Sequence, residues 1–136
     1  MATIKVPLGP PYGTVPVNTA AICAAIPDPS LADAATELLV DSAGGRSINV
    51  LVAIGEMGIR LGADFAEFTA ADPPKSKCFV SRTAWVSVVP HPQVNGVSQI
   101  NFANRRYLAV AGDVDEVLAR LERGSPSRSA GHSRTR

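Results

Sequence analysis

Aromatic residues are scarce in this 136-residue chain: one Trp, two Tyr and four Phe. Its core must therefore be assembled from Val, Ile, Leu and Ala. Charge is scarce too. Only 18% of residues are Asp, Glu, Lys or Arg, while 46% are hydrophobic, against about a quarter charged in an average soluble domain. Such a chain has ample core material and tends to cover part of its surface with a partner. Cysteine and histidine number two each. Cys23 and Cys78 form no CxxC motif and have no histidine at ligand spacing, so neither a metal site nor a cofactor is expected. No apolar run approaches the roughly 20 residues of a membrane span. The opening MATIKVPLGPPYG lacks a signal-peptide core, so no membrane contact and a cytoplasmic location are expected.

What the chain does have is punctuation and self-similarity. Proline and glycine number eleven each and divide it into short segments. Val17–Pro29 reads VNTAAICAAIPDP and Val80–Pro92 reads VSRTAWVSVVPHP. At an offset of 63, Val17 meets Val80, Ala21 meets Ala84, Pro27 meets Pro90 and Pro29 meets Pro92. At an offset of 60, SINVLVAIGEMGIRL (47–61) lies over YLAVAGDVDEVLARL (107–121), pairing Glu56 with Glu116, Arg60 with Arg120 and Leu61 with Leu121. A fixed self-offset is the signature of a duplicated unit.

Each copy reads as three strands and a helix. The first strand, Val17–Ile26 or Val80–Val89, is closed by P-x-P, since proline cannot donate to a ladder. The second is Thr36–Asp41 or Ser98–Ala103, and the third Ser47–Val52 or Tyr107–Ala111. Asp113 and Glu116 form a capping box ahead of the stripe Val114, Val117, Leu118, Leu121, so Leu118 and Leu121 are expected to face the core. The first helix, Ile54–Leu61, carries Gly55 and Gly58, each costing about 1 kcal/mol relative to Ala. The expected fold is α+β: tandem βββα repeats at 17–62 and 80–124, joined by a linker at 63–79 and packed about a pseudo-twofold as one β-rich domain. Residues 1–16, with four prolines, read as an extended arm, and 125–136 as a disordered basic tail.

The second copy resembles the small FlbD-like flagellar proteins. The residues that carry the likeness are Trp85–Pro90, Gln99–Phe102, the turn Asn104-Arg105-Arg106, Tyr107–Val110 and Asp113-Val114-Asp115-Glu116-Val117. The turn lacks the glycine usual in that family. The resemblance covers about a third of the chain and implies a βββα topology without catalysis.

Chemistry is hard to find. His91 lies between prolines at the position of Asp28 in the first copy, which reads as exposed and polar. His132 lies in the tail. Neither has a nucleophile beside it, so no enzyme is expected. Lys77 could lower the pKa of Cys78. Trp85 stands where the first copy has Ile22 and reads as core, with a partner-facing anchor as the rival. Two surfaces remain for partners. In the arm, Ile4, Val6 and Leu8 alternate as in a strand that adds to a neighbour's sheet; the rival is an edge strand within its own chain. Arg105, Arg106 and Tyr107 form the one basic pair beside an aromatic.

Charge is uneven along the chain. Residues 1–122 hold nine Lys/Arg against twelve Asp/Glu, a net of −3, while Arg123, Arg128, Arg134 and Arg136 follow without an acid. Those four could meet nucleic acid or another acidic surface. The main expectation is a non-catalytic assembly protein docking to other subunits, with a homo-oligomer allowed. Size and lack of chemistry extend this to a bacterial-virus component within the particle, capsid-decorating or head–tail joining. The alternative is a nucleic-acid-associated or regulatory module using the arginine tail.

Overall fold

The computed structural model describes residues 3–9, 11–28, 35–40, 47–71, 76–103 and 106–122. These form β1 (Thr3–Gly9), β2 (Gly13–Asn18), β3 (Ile22–Pro27), β4 (Thr36–Val40), β5 (Ser47–Val50), α1 (Ile54–Leu61), β6 (Phe65–Thr69), β7 (Lys77–Ser81), β8 (Trp85–Pro90), β9 (Val97–Phe102), β10 (Tyr107–Ala111) and α2 (Val114–Glu122). The strands make three antiparallel sheets, ordered β1-β2, β5-β4-β3-β7-β6 and β10-β9-β8.

The five-stranded sheet is the middle layer. Ile22, Ala25, Leu38, Val50 and Phe79 face one cluster, shared with the β1–β2 hairpin and α1. Cys23, Ala24, Leu39, Phe68, Cys78 and Val80 face a second, shared with β9, β10 and α2. A sheet covered on both sides needs apolar residues at consecutive positions. This is why β3 runs ICAAIP and β7 carries Cys78, Phe79 and Val80 in a row, all buried.

Of the arm expected over residues 1–16, residues 3–9 and 13–16 lie in the β1–β2 hairpin. Val6 is fully buried, and Ile4, Leu8 and Val15 pack beside it on the first cluster. Alternation showed that one face of this strand is apolar, and the cover comes from its own chain. Pro7 and Pro16 are tolerated because both strands are edges. Gly9 and Gly13, at φ 82° and 64°, turn the chain between them. The linker expected at 63–79 holds β6 and β7, with only the stretch around Pro73-Pro74 as a connector. Residues 72–75 lie outside the described residues, as do the tail and Arg105.

The strands expected at Val17–Ile26 and Val80–Val89 are each broken. Asn18 Oδ1 accepts from Ala20 N at 3.0 Å, starting a 3-10 turn at Thr19–Ala21. Ser81 Oγ accepts from Thr83 N at 3.3 Å. Short polar side chains offer the backbone this alternative to the ladder. After each break comes a three-stranded meander and a helix, β3-β4-β5-α1 and β8-β9-β10-α2. The same bonds recur in both. Thr36 Oγ1 donates to Val52 O at 2.6 Å, and Ser98 Oγ donates to Gly112 O at 2.8 Å. Arg60 donates to Lys5 O at 3.1 Å and Arg120 to Glu67 O at 3.0 Å, each bracing a helix to a strand.

Helix α1 buries Ile54, Met57 and Leu61. Its Gly58 is a packing requirement: a Cβ there would lie 2.1 Å from the ring of Phe79. Helix α2 starts with the capping box, Glu116 N donating to Asp113 Oδ1 at 2.9 Å and Asp113 N to Glu116 Oε1 at 3.1 Å. Val117 and Leu121 are buried, whereas Leu118 is half-buried and lies outside the second cluster. The stripe is thus rotated toward Val117, correcting the expectation for Leu118.

Denaturant unfolding should separate these roles. Gly58→Ala should destabilise by about 1–3 kcal/mol, because displacing a buried ring outweighs the gain in helix propensity. Gly55→Ala, with nothing within 4 Å of its added Cβ, should stabilise by up to about 1 kcal/mol. Leu121→Ala should cost about 2–5 kcal/mol, and Leu118→Ala clearly less. A neutral Gly58→Ala would show that Phe79 moves aside freely.

Candidate nucleic-acid interface

Strand register brings three connectors to one end of the middle sheet. Pro27 pairs with Thr36, so the β3–β4 connector opens there, closed by Asp28 N donating to Ala35 O at 3.0 Å. Thr69 pairs with Lys77, which sets the β6–β7 connector. Because Ala25 pairs with Phe79 and the strands are antiparallel, both connectors leave the same end. The β9–β10 turn, closed by Phe102 N donating to Arg106 O at 2.9 Å, joins them. Arg106 Nη2 lies 3.8 Å from Glu37 Oε2 on β4, one residue from the start of that strand.

In sequence, the connectors at this end carry Lys75 and Arg105, followed by Lys77 and Arg106. Lys77 is 3.9 Å from Glu67. Among the described residues, the other arginines, Arg60, Arg82 and Arg120, are occupied with structure. Arg60 pairs with Glu56 at 2.7 Å as well as with Lys5 O. Arg82 donates to Ala63 O, Arg120 O and Leu121 O, which satisfies carbonyls at the negative end of α2. Arg120 also lies over the Phe68 ring at 5.9 Å.

Tyr107 opens β10 directly beyond the turn, with 59% of its surface exposed. It pairs with Asn101, whose amide donates to Ser87 Oγ at 3.1 Å. Gln99 lies two residues along on the same face of β9, between half-exposed Val97 and Asn101. This uncharged hydrogen-bonding strip beside the arginine turn was missed in the sequence. Its trace there was the regular polar alternation of β9.

Of the other residues proposed for partners, Ile4, Val6 and Leu8 belong to the core cluster described above. Arg105, Arg123, Arg128, Arg134 and Arg136 lie outside the described residues. Asp28 is buried and accepts from Asn49 Nδ2 at 2.7 Å, which corrects its reading as an exposed position. His91 Nδ1 accepts from Gln93 N at 3.1 Å and Val94 N at 3.2 Å, shaping the β8–β9 loop. Trp85 is half-buried against the second cluster, its indole N–H donating to Arg82 O at 3.1 Å. Among the described residues, no group of three His, Cys, Asp or Glu side chains could hold a metal. None of their helices is long and apolar enough to cross a membrane.

Cys78 is fully buried. Burial pushes its thiol up from 9.0 to about 12, with the Glu67 carboxylate adding to the rise. Activation by Lys77 is thereby corrected, since desolvation disfavours the thiolate and the ammonium lies toward Glu67.

No family model and no curated protein matches the chain. Among solved structures, its fold is similar to one described as a LytTr DNA-binding domain of a response regulator from Bacillus cereus. The TM-score is 0.60 at 10% identity, over 89% of this chain and 96% of that one. This overturns the expectation of a capsid-decorating or head–tail joining protein. The likeness covers almost all of both chains, and the neighbour is described as a DNA-binding domain of a regulator.

The raised thiol has a pH consequence. Folded protein holds the Cys78 proton where unfolded chain releases it, so this group's contribution to stability is complete below pH 9.0 and is lost as pH rises toward about 12. Unfolding free energy should fall across that window more steeply in the native sequence than in Cys78→Ala. In a Cys23→Ala background, a thiol reagent at pH 8 should label Cys78 rapidly only in denaturant. Fast labelling of folded protein would contradict its burial.

Proposed function

We propose that this chain is a DNA-binding regulatory module that presents the connector end of its middle sheet to the duplex. The observation that carries the reading is the fold shared with a domain described as DNA-binding. A shared fold does not by itself transfer a function, and the site adds independent support. In sequence, Lys75, Arg105 and Arg106 fall in the connectors of one sheet end, whose flanking strands are paired in register. Tyr107, Asn101 and Gln99 stand beside that end, and amides and hydroxyls are groups that can read base edges or bind phosphate oxygens. The arginines from Arg123 onward would add phosphate contacts. As a binding module of this kind, the chain acts without catalysis.

The test is selection of bound sequences from a random duplex pool by the intact chain, followed by fluorescence anisotropy at several salt concentrations. Sequence-selective binding is expected. Replacing both Arg105 and Arg106 with Ala should weaken it at least tenfold and reduce the log–log salt slope by about 2, roughly one for each phosphate no longer neutralised. Removing residues 125–136 should flatten the slope by up to about 3 while leaving the preferred sequence unchanged. No enrichment even at low salt would overturn the reading.

We infer also that the chain is a duplication of a longer unit than βββα: a hairpin, a side-chain-capped break, a meander and a helix. The recurring Asn18/Ser81, Thr36/Ser98 and Arg60/Arg120 bonds support this, together with Pro27 and Pro90 at strand ends. The copies differ in pairing, since β3 takes β7 on its second edge while β8 pairs with β9 alone. In a crystal structure, the two units should superimpose with Leu61 on Leu121 and Pro27 on Pro90. A best superposition that offsets those pairs would refute the duplication.

A further inference from the structure

At the opposite end of the middle sheet lies a cleft of about 380 Å³, lined by Thr19, Ala20, Asp64, Phe65, Ser81, Arg82 and Thr83. It is formed where the two strand breaks meet: the 3-10 turn at Thr19–Ala21 supplies one wall, and the turn after Ser81 the other. This volume falls within the range of small-molecule sites.

The lining has a definite chemistry. Phe65 is almost fully buried and, with Ala20, gives an apolar floor. Ser81 Oγ and Thr83 Oγ1 stand 3.3 Å apart, so their four lone pairs exceed the protons they can share between them. Arg82 keeps its positive charge in the lining, but its Nε and Nη1 are engaged with Ala63 O, Arg120 O and Leu121 O rather than offered to a guest. Among the described residues, the exposed carboxylate of Asp64 has no hydrogen bond or ion pair. Its backbone is held all the same: Arg82 N donates to Asp64 O at 3.0 Å and Arg82 Nε to Ala63 O at 2.8 Å. A carboxylate with no direct partner of its own, beside two hydroxyls and an aromatic floor, matches a donor-only cation with a short apolar part.

We propose that this cleft binds a small organic ammonium, its charged head on Asp64 and the Ser81–Thr83 hydroxyls, its alkyl portion against Phe65 and Ala20. An anion would meet the Asp64 carboxylate while Arg82 Nε and Nη1 are already engaged with carbonyls, and a purely apolar guest would leave the carboxylate without a partner. The proposal is independent of DNA binding, which belongs to the other end of the sheet, about 20 Å away along a six-residue strand.

The test is a titration of the intact, isotope-labelled chain with n-butylammonium chloride, n-butanol and sodium butyrate at constant ionic strength, followed by amide NMR. Butylammonium should give saturable shifts at Ala20, Asp64, Phe65 and Thr83, with a Kd of ~1–10 mM expected of so small a ligand. Butanol should bind about tenfold more weakly, and butyrate should give no saturable shift. Asp64→Asn, at an exposed position, should weaken butylammonium about tenfold with the rest of the spectrum unchanged; Thr83→Val should weaken it by a smaller factor. Equal binding of butanol and butylammonium, saturable binding of butyrate, an Asp64→Asn protein that binds normally, or shifts that never saturate would each overturn the proposal.

Discussion

The pairing of β3 with β7 is the contact on which the architecture depends. It consists of two register pairs, Ala24 with Val80 and Ala25 with Phe79, and it joins strands that lie about 55 positions apart in sequence. Closing so long a loop costs entropy before any contact forms. Burial on both faces of the sheet offsets that cost. Ala24 and Val80 serve the second cluster, Ala25 and Phe79 the first. Size complementarity then runs through the layer: small Ala25 stands beside large Phe79, and the Phe79 ring occupies the space that Gly58 leaves open. A chain poor in aromatics thus uses one ring to set the distance between helix and sheet.

Buried polar groups fix the ends of the strands. Thr36 ties the start of β4 to the segment just ahead of α1, and Ser98 does the same for β9 and α2. Asp28, held by Asn49, anchors the exit of β3. An unpaired buried hydroxyl or carboxylate would cost more than its bond contributes, so these groups specify register as well as stability. They also place the connectors, because Asp28 and Thr36 flank one and the Arg106–Glu37 approach locates another.

Much of the local structure was legible from local chemistry. The capping box at Asp113, the bounds of α1 and the strand beginning at Tyr107 follow from rules that act within a few residues. The β1–β2 hairpin, β6 and β7 were hidden for an equally physical reason. Proline-rich stretches read as arms and linkers, yet proline is compatible with an edge strand, and whether a strand is an edge depends on its distant neighbours. The alternation of Ile4, Val6 and Leu8 announced a buried face without saying what would bury it. For the candidate site, Arg105, Arg106 and Tyr107 were legible as a basic turn beside an aromatic. Their convergence with the connectors after Asp28 and Thr69 was not, because it is created by the β3–β7 register. Asp64 carried no signal at all; only the meeting of two strand breaks makes it part of a cleft.

Charge distribution constrains how the proposed DNA contact would work. With a net of −3 over residues 1–122, the body repels phosphate at long range, and several of its arginines are committed to backbone carbonyls. Near the connector end, Lys77 and Arg106 each have a carboxylate close by, so phosphate would compete with Glu67 and Glu37 for them. Both pairs are long, the Lys77–Glu67 pair is exposed and the Arg106–Glu37 pair half-buried, so a well-fitted phosphate would displace the first more easily than the second. A DNA-binding module built this way would gain little from sequence-independent attraction in its body, which would come instead from the arginines after residue 122. Under the proposed function, discrimination would then rest on directed contacts from the connector end, while the arginines after residue 122 would raise affinity for any duplex. Separating the two terms in one small chain would let the neutral strip around Tyr107 contribute to the choice of sequence without raising the background of non-specific binding.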